Sequence, residues 1–170
     1  MEIEKKFIVK AIPDDLDKYE CKYIEQAYLN TDPVIRIRKE NENYYLTYKE
    51  KGLLAREEYN LPLNEMSYYH LKAKADGNVI SKKRFVIPLT SIDYTSQSPP
   101  TSINQPADYP TPTLNIELDI FDPPFAPLII AEVEFPNLEA ADNFTPPAWF
   151  ADEVTMNPEY HNSNLSRRVL

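Results

Sequence analysis

The segment Glu2-Ile3-Glu4-Lys5-Lys6-Phe7-Ile8-Val9 decides the fold, because charged residues recur in it at every second position. In an extended strand, successive side chains point to opposite faces, so residues two apart share a face. The segment therefore predicts a β-strand that carries Glu2, Glu4 and Lys6 on one face.

The same period of two recurs along the chain. It predicts seven further strands, at residues 24–30, 34–40, 43–51, 54–61, 79–88, 114–121 and 127–135. Turns are expected at 41–43 and at Gly52, and short helices at 13–19, 64–75, 138–144 and 158–169, with Gly77 as the stop of the second helix. These elements indicate a mainly β (α+β) fold, an antiparallel meander of eight strands that can close into a barrel.

Length and composition favour a single domain. The chain has 170 residues, and it has only 2 glycines against 16 prolines and 12 tyrosines. Residues 90–113 are rich in Ser, Thr and Pro and nearly free of charge, while strand patterns resume on both sides of them. We therefore expect one domain spanning residues 1–170, with a loop insertion at about 90–113.

Several classes of function are disfavoured by the composition. A net charge of −9 argues against binding to a nucleic-acid polymer, which requires a basic surface. Cys21 is the lone cysteine, and His70 and His161 lack the spacing of a zinc site. The start of the chain is acidic, unlike a signal peptide, and no apolar stretch reaches the ~20 residues of a membrane span. We expect a cytoplasmic protein without a membrane partner.

The charges segregate by strand. Carboxylates recur on the first, seventh and eighth predicted strands, and cations on the third, fourth and sixth. The acidic positions are Glu2, Glu4, Glu117, Asp119, Glu132 and Glu134, and the basic positions are Arg36, Arg38, Lys49, Lys82 and Arg84. The fifth strand mixes Arg56, Glu58 and Asn60. These faces are either the solvated side of a sheet or the lining of a barrel.

An inward orientation has a chemical consequence. Buried charges require partners, since their desolvation is otherwise prohibitive. Carboxylates are the hard oxygen ligands of Mg²⁺, Mn²⁺ or Ca²⁺, whereas Arg and Lys bind phosphate oxygens. A polyphosphate with divalent metals would neutralise both kinds of charge. The chain has no glycine-rich phosphate loop, so a P-loop mechanism is excluded.

These residues resemble the CYTH superfamily, also called triphosphate tunnel metalloenzymes. The family signature Glu-x-Glu-x-Lys matches Glu2 to Lys6 at the start of the first strand. Further similar stretches are Arg36-Ile37-Arg38, Lys82-Lys83-Arg84-Phe85 and Ala131-Glu132-Val133-Glu134-Phe135. The resemblance covers nearly the whole chain except residues 90–113, and it is to the short bacterial tripolyphosphatases.

The resemblance implies an eight-stranded antiparallel tunnel, two Mg²⁺ or Mn²⁺ ions, a triphosphate substrate and, at the level of the family, a homodimer. It assigns metal ions or the attacking water to Glu2, Glu4, Glu58, Glu117, Asp119, Glu132 and Glu134, with Glu2 or Glu4 as the catalytic residue that orients the water. It assigns phosphate binding to Lys6, Arg36, Arg38, Lys49, Lys82 and Arg84. The chain departs from the family at Asn60, where a further acid is frequent.

Three functions are consistent with this resemblance. The first is hydrolysis of inorganic tripolyphosphate to pyrophosphate and phosphate. The second is the activity of an adenylate cyclase or of a nucleoside or thiamine triphosphatase, which needs an additional site for the organic group. The third is a non-catalytic polyphosphate-binding module, for which cationic residues alone would suffice.

Overall fold

A computed structural model describes residues 2–51, 55–89 and 114–170. Its strands are β1 (Glu2–Val9), β2 (Glu20–Thr31), β3 (Val34–Glu40), β4 (Asn43–Lys49), β5 (Ala55–Arg56), β6 (Glu58–Leu63), β7 (Asp76–Pro88), β8 (Asn115–Phe121), β9 (Ile129–Glu134) and β10 (Phe150–Glu153). Its α-helices are α1 (Glu65–Lys72), α2 (Leu138–Asp142) and α3 (Asn162–Leu165), and short 3₁₀ turns lie at Leu16–Lys18 and Pro158–Tyr160.

All strand pairs are antiparallel, and they follow the order β10-β1-β9-β8-β7-β2-β3-β4-β6. The short strand β5 pairs with β1 through Ile3 and Ala55, and only Glu57 separates it from β6. The mainly β, antiparallel prediction is therefore confirmed. The closed barrel is not confirmed, because the path of paired strands ends at β6.

Several predicted boundaries need correction. The predicted strand 54–61 is interrupted at Glu57, where the chain leaves β1 and joins β4. The strand Phe150–Glu153 was missed because it is short, and it forms by pairing with β1 and packing Phe150 on Phe7, at a ring-centroid distance of 4.8 Å. The helix predicted at 158–169 is only a 3₁₀ turn followed by α3, and the helix at 13–19 is only the turn Leu16–Lys18.

Two predicted features lie outside the described residues, namely the turn at Gly52 and the insertion at 90–113. The residues that flank the insertion are described. The Leu89 amide donates to the Leu114 carbonyl at 2.8 Å, so the ends of β7 and β8 are joined directly.

The helices are short and their ends follow from local chemistry. Asn64 begins α1 by accepting a hydrogen bond from the Ser67 amide at 2.8 Å. The helix ends at Lys72, before the predicted end. No helix in the described ranges is long and apolar enough to cross a membrane.

Gly77 has a different role from the predicted helix stop. Its φ is 72°, and a Cβ atom placed there would lie 2.2 Å from the carbonyl oxygen of Ser166. The next residue completes the contact, since the Asn78 amide donates to the same carbonyl at 2.6 Å and its side chain donates to the Arg168 carbonyl at 2.7 Å. These contacts fix the segment that contains α3 against the start of β7.

The apolar faces of the sheet point outward and are covered by other elements. Phe7, Phe144 and Phe150 pack with the aliphatic residues of β8 and β9 beneath α2 and β10. On the other side, Ala27 and Ile37 pack against Tyr68 of α1. Because the hydrophobic faces are buried beneath these elements, the alternate, charged positions lie on the opposite face of the sheet.

Candidate active site

One cavity of about 220 Å³ collects most of the charged residues that the sequence singled out. The predicted site residues that line it are Glu2, Glu4, Lys6, Arg36, Arg38, Lys49, Glu58, Arg84, Glu117, Glu132 and Glu134. Most of these side chains are buried, with Lys6 only 4% and Arg36 only 5% exposed, whereas Glu117 is half-buried and Glu134 is exposed. The alternative of a solvated sheet face is therefore wrong for the buried positions.

Two predicted site residues, Lys82 and Asp119, lie behind the cavity lining. Asp119 is 0% exposed, and it accepts a hydrogen bond from Lys82. Arg84 contacts both carboxylate oxygens of Asp119 at 2.6 Å. Burial lowers the pKa of Lys82 to about 8, although Asp119 opposes the shift. The structure thus places Asp119 as the support of Arg84 rather than as an open carboxylate.

The acidic side of the cavity consists of Glu2 and Glu4 on β1, Glu117 on β8, and Glu132 and Glu134 on β9. The strand register places Glu4 opposite Glu134 and Glu117 opposite Glu132. Like charges directly opposite on neighbouring strands are destabilising. Burial, followed by repulsion from Glu2, Glu117 and Glu4, raises the pKa of Glu134. The carboxylates of the acidic side therefore lie close enough together to repel one another.

Cations of the chain neutralise part of the acidic side. Lys6 contacts Glu132 and lies 3.0 Å from Glu4. Arg84 contacts Glu132 at 2.6 Å and also reaches Glu117. Burial acts to lower the pKa of Lys6, but Glu132 and Glu4 outweigh it and raise this pKa. These cations are consequently held by carboxylates before any ligand binds.

Lys49 forms a second group of ion pairs on β4. Its Nζ lies 2.8 Å from a carboxylate oxygen of Glu2, and it also contacts Glu58. Burial would raise the pKa of Glu58, yet the attraction of Lys49 lowers it to about 2. Asn60 donates to Glu58 at 2.8 Å and accepts from Thr47 at 2.6 Å.

The arginine pair, Arg36 and Arg38 on β3, has neutral partners instead. Arg38 donates to the Gln26 carbonyl oxygen through Nε at 3.1 Å and Nη2 at 2.9 Å, and Nη1 lies 3.3 Å from the Tyr45 hydroxyl. Arg36 donates to Thr47 at 3.0 Å, and its buried Nε has no hydrogen-bond partner. Within the described residues, neither guanidinium forms an ion pair with a carboxylate.

The two arginines differ in their electrostatic surroundings. Burial, followed by repulsion from Arg38, lowers the pKa of Arg36. Burial also acts to lower the pKa of Arg38, but the Tyr45 hydroxyl outweighs it and raises this pKa. A buried guanidinium with an unused donor is costly unless an acceptor occupies the neighbouring space. Phosphate oxygens supply such acceptors and the compensating charge, and guanidinium groups bind them through paired hydrogen bonds.

The acidic side fits a hard divalent cation by donor type and by charge. Its carboxylate oxygens are the ligands that Mg²⁺ and Mn²⁺ prefer, and the raised pKa values of Glu2 and Glu134 reflect burial together with repulsion between carboxylates that a cation relieves. Among the described residues, no three acidic, histidine or cysteine side chains are already arranged around a metal position. Lys6, Lys49 and Arg84 hold the carboxylates in ion pairs instead.

Sequence patterns did not indicate some residues in and beside the cavity. Tyr28 of β2 lines the cavity, and Gln26 is buried beside it in contact with Arg38; their two-residue spacing was the signal that could have found them. Tyr45 and Glu40 line the same cavity and are joined by a hydrogen bond of 3.0 Å. His161, Asn162 and Ser163 also line it, and no sequence pattern indicated their position. A ring nitrogen of the buried His161 lies 2.9 Å from the Thr155 carbonyl oxygen.

The fold and the cavity together define a class: antiparallel β-proteins that surround a site of carboxylates and guanidinium groups. The family model of the CYTH domain matches residues 1–95. A relative that matches nearly the whole chain is 31% identical. The chain therefore belongs to the CYTH family.

Two relatives match the chain over more than nine tenths of their length. The chain is 31% identical to an inorganic triphosphatase of Nitrosomonas europaea, with 99% of this chain and 98% of the relative covered. It is 32% identical to an inorganic triphosphatase of Acetivibrio thermocellus, with 96% and 92% covered. The solved structure of the inorganic triphosphatase NE1496 matches with a TM-score of 0.67 and 28% identity, covering 99% of this chain and 96% of that one.

Proposed function

We propose that this protein is a metal-dependent inorganic triphosphatase that cleaves tripolyphosphate into pyrophosphate and phosphate. The observation that carries the proposal is the pairing, within one cavity, of guanidinium groups without carboxylate partners and carboxylates that repel one another. The names of two relatives more than 30% identical to the chain support the same activity.

The site would lie in a tunnel formed by the closed sheet. Two contacts support closure. Glu57 alone separates β5, which pairs with β1, from β6, which pairs with β4. Lys49 of β4 lies 2.8 Å from Glu2 of β1, although these strands are far apart in the path of paired strands. Ion pairs across the cavity would then hold the two ends of the sheet together.

In this proposal the arginine pair binds the phosphoryl groups. Its donors are fixed by Gln26, Tyr45 and Thr47, so little reorganisation is needed when substrate binds. The guanidinium charges stabilise the charge that develops on phosphoryl oxygens during transfer to water. Positive charge would also come from Lys6, Lys49, Lys82 and Arg84. Of these, Lys82 lies behind the cavity lining and Arg84 lies beside the carboxylates of the acidic side.

The acidic side would hold the divalent ions. We assign this role to Glu2, Glu4, Glu58, Glu117, Glu132 and Glu134, with Asp119 contributing through Arg84. A bound Mg²⁺ or Mn²⁺, proposed as two ions, supplies Lewis-acid polarisation of the phosphoryl oxygens. Glu2 or Glu4 accepts a hydrogen bond from the attacking water and thereby orients it, because both carboxylates lie on the inward face of β1.

The size of the cavity favours an inorganic substrate. At about 220 Å³ it is smaller than the ~300–1,000 Å³ of sites for drug-sized ligands. A second cavity of about 560 Å³ adjoins it at Arg36 and Arg38 and is lined in part by Tyr44, Tyr45 and Pro62. This neighbouring space is the observation that keeps an organic triphosphatase, acting on a nucleotide or thiamine ester, as the second candidate.

Phosphate release from tripolyphosphate and from ATP, measured side by side with Mg²⁺, Mn²⁺ or chelator, tests the proposal. We expect metal-dependent release from tripolyphosphate to exceed that from ATP. Faster release from ATP would favour the second candidate. Tight binding of tripolyphosphate without release under any metal would indicate a polyphosphate-binding module.

A further inference from the structure

We propose that Gln26 is a positioning residue whose neutral amide fixes Arg38 while leaving its positive charge available to the substrate. The inference rests on the proposed function, because it concerns the binding of a phosphoryl group in the same cavity. It adds a residue to which neither the sequence motifs nor the family resemblance assigned a role.

The contacts of Gln26 are fully specified. It lies directly opposite Arg38 in the β2–β3 register, and it is 0% exposed. Its carbonyl oxygen accepts both Nε and Nη2 of Arg38, and its amide nitrogen donates to the Tyr28 hydroxyl at 3.2 Å. Both ends of the side chain are therefore used, and the guanidinium plane is held in one orientation.

The chain contains an internal comparison for this arrangement. Arg84 lies directly opposite Asp119 in the β7–β8 register, as Arg38 lies opposite Gln26. Arg84 also donates Nε and Nη2 to its partner, but that partner is a carboxylate. Asp119 both orients and neutralises its arginine, whereas Gln26 only orients it. The partners differ in charge and in detail of geometry, since both donors of Arg38 converge on one Gln26 oxygen, whereas those of Arg84 reach the two oxygens of Asp119.

The neutrality of Gln26 matters because Arg38 is buried. Ion pairing between a guanidinium and a carboxylate in a desolvated site is strong, and a phosphate would have to compete with it. Gln26 and Tyr45 do not use all the N–H donors of Arg38, so donors remain for a ligand in the cavity. A glutamate at position 26 would retain the contacts but remove the net charge.

The test is Gln26→Glu, with Asn143→Asp as a control that adds the same charge at an exposed position outside the cavity lining. Steady-state kinetics on tripolyphosphate and calorimetric binding of inorganic pyrophosphate, with chelator and with Mg²⁺, are measured for both. We expect Gln26→Glu to raise KM and the pyrophosphate Kd about tenfold and to lower kcat as well, because the neutralised guanidinium also serves charge in the transition state. The control is expected to match the wild type.

A second variant, Gln26→Met, separates orientation from charge. It removes the acceptor at similar volume, so we expect pyrophosphate binding to weaken together with a lower Tm, whereas Gln26→Glu retains its Tm. Unchanged KM and unchanged pyrophosphate binding in Gln26→Glu would overturn the inference, as would a Tm loss in both variants with wild-type affinity. If the wild type binds pyrophosphate but hydrolyses nothing, and Gln26→Glu still binds it more weakly, the proposed function fails and the inference stands.

Discussion

The arginine pair on β3 and the acidic side formed by β1, β8 and β9 are built by the same alternation of side chains, yet they treat buried charge in opposite ways. Arg36 and Arg38 face neutral side chains across the sheet, namely Tyr28, Thr47, Gln26 and Tyr45. On the acidic side, Glu4 faces Glu134 and Glu117 faces Glu132. Among the described residues the arginine pair forms no ion pair with a carboxylate, whereas on the acidic side carboxylates lie opposite carboxylates.

The difference teaches that strand register, rather than residue content alone, assigns the chemistry. Cations are present on both sides, since Lys6 and Arg84 lie within reach of the acidic carboxylates. They are neutralised there because carboxylates of the neighbouring strands lie beside them. In the proposed function, each region would be completed by a ligand of the opposite sign: phosphoryl groups for the arginine pair and divalent cations for the acidic side.

Removal of metal is expected to have the largest effect, because it leaves the acidic side without the cations that balance it. Chelator should lower tripolyphosphate hydrolysis by about 10³-fold or more, and Mg²⁺ or Mn²⁺ should restore it. Phosphate release followed through chelation and replenishment provides the measurement. Full activity in chelator would show that Lys6, Lys49 and Arg84 already neutralise this side sufficiently.

Removal of one member of the arginine pair is expected to affect catalysis more than stability. Arg38→Ala should lower kcat/KM by about 10²-fold, because the lost guanidinium serves charge in the transition state. Its Tm should fall less than that of an Arg84→Ala variant, since the buried Gln26 carbonyl loses its donors but no carboxylate loses a partner in an ion pair. A collapse of Tm with unchanged kcat/KM in the remaining folded protein would reverse the roles that we assign.

The matching change on the other side, Arg84→Ala, is expected to act first on stability. It leaves Asp119, Glu117 and Glu132 without a shared cation, and Asp119 is completely buried. Breaking a buried ion pair costs about 3–5 kcal/mol. Chemical denaturation of this variant beside Arg38→Ala measures the contrast. Equal stabilities of the two variants would erase the distinction between the two regions.

The smallest expected effect is that of Glu134→Gln. The pKa of Glu134 is raised in the folded protein by burial and by neighbouring carboxylates, so its protonated form favours folding at low pH and this contribution is lost as pH rises through the folded pKa. In chelator at neutral pH, the variant should therefore melt about 1–3 °C above the wild type. The difference should vanish near pH 4, and Mg²⁺ should stabilise the wild type more than the variant. Thermal scans that give a lower Tm for the variant at neutral pH would contradict the proposed repulsion.

The sequence predicted which face of its strand a residue occupies, but it did not predict which residue lies opposite on the neighbouring strand. Two-residue spacing correctly placed Glu2, Glu4, Arg36 and Arg38 on faces of their strands that line the cavity. It could not show that Gln26 lies opposite Arg38, because the pairing of distant strands depends on the whole sheet. The relatives' names bear out the predicted triphosphatase, whereas the closed barrel and the residue roles stay predictions.

Burial was the second quantity that local sequence could not supply. Lys82 and Asp119 follow the same alternation as their neighbours, yet they lie behind the cavity and pair with each other. Lys51 shares the spacing of Lys49 but is exposed and pairs with Asp32 at 3.5 Å. Whether such a residue lines the cavity, lies behind it or is exposed depends on its position along the strand relative to the neighbouring strands. This stagger is a property of the whole sheet.

The contact at Gly77 limits which residues can replace this glycine in related proteins. The chain has only two glycines, and at this one the absent side chain makes room for the carbonyl of Ser166. The same contact holds the segment whose residues Asn162 and Ser163 line the cavity. We therefore expect position 77 and the C-terminal segment to change together: lineages that keep the segment docked in this way should keep glycine at 77, and lineages that replace the glycine should remodel this part of the site.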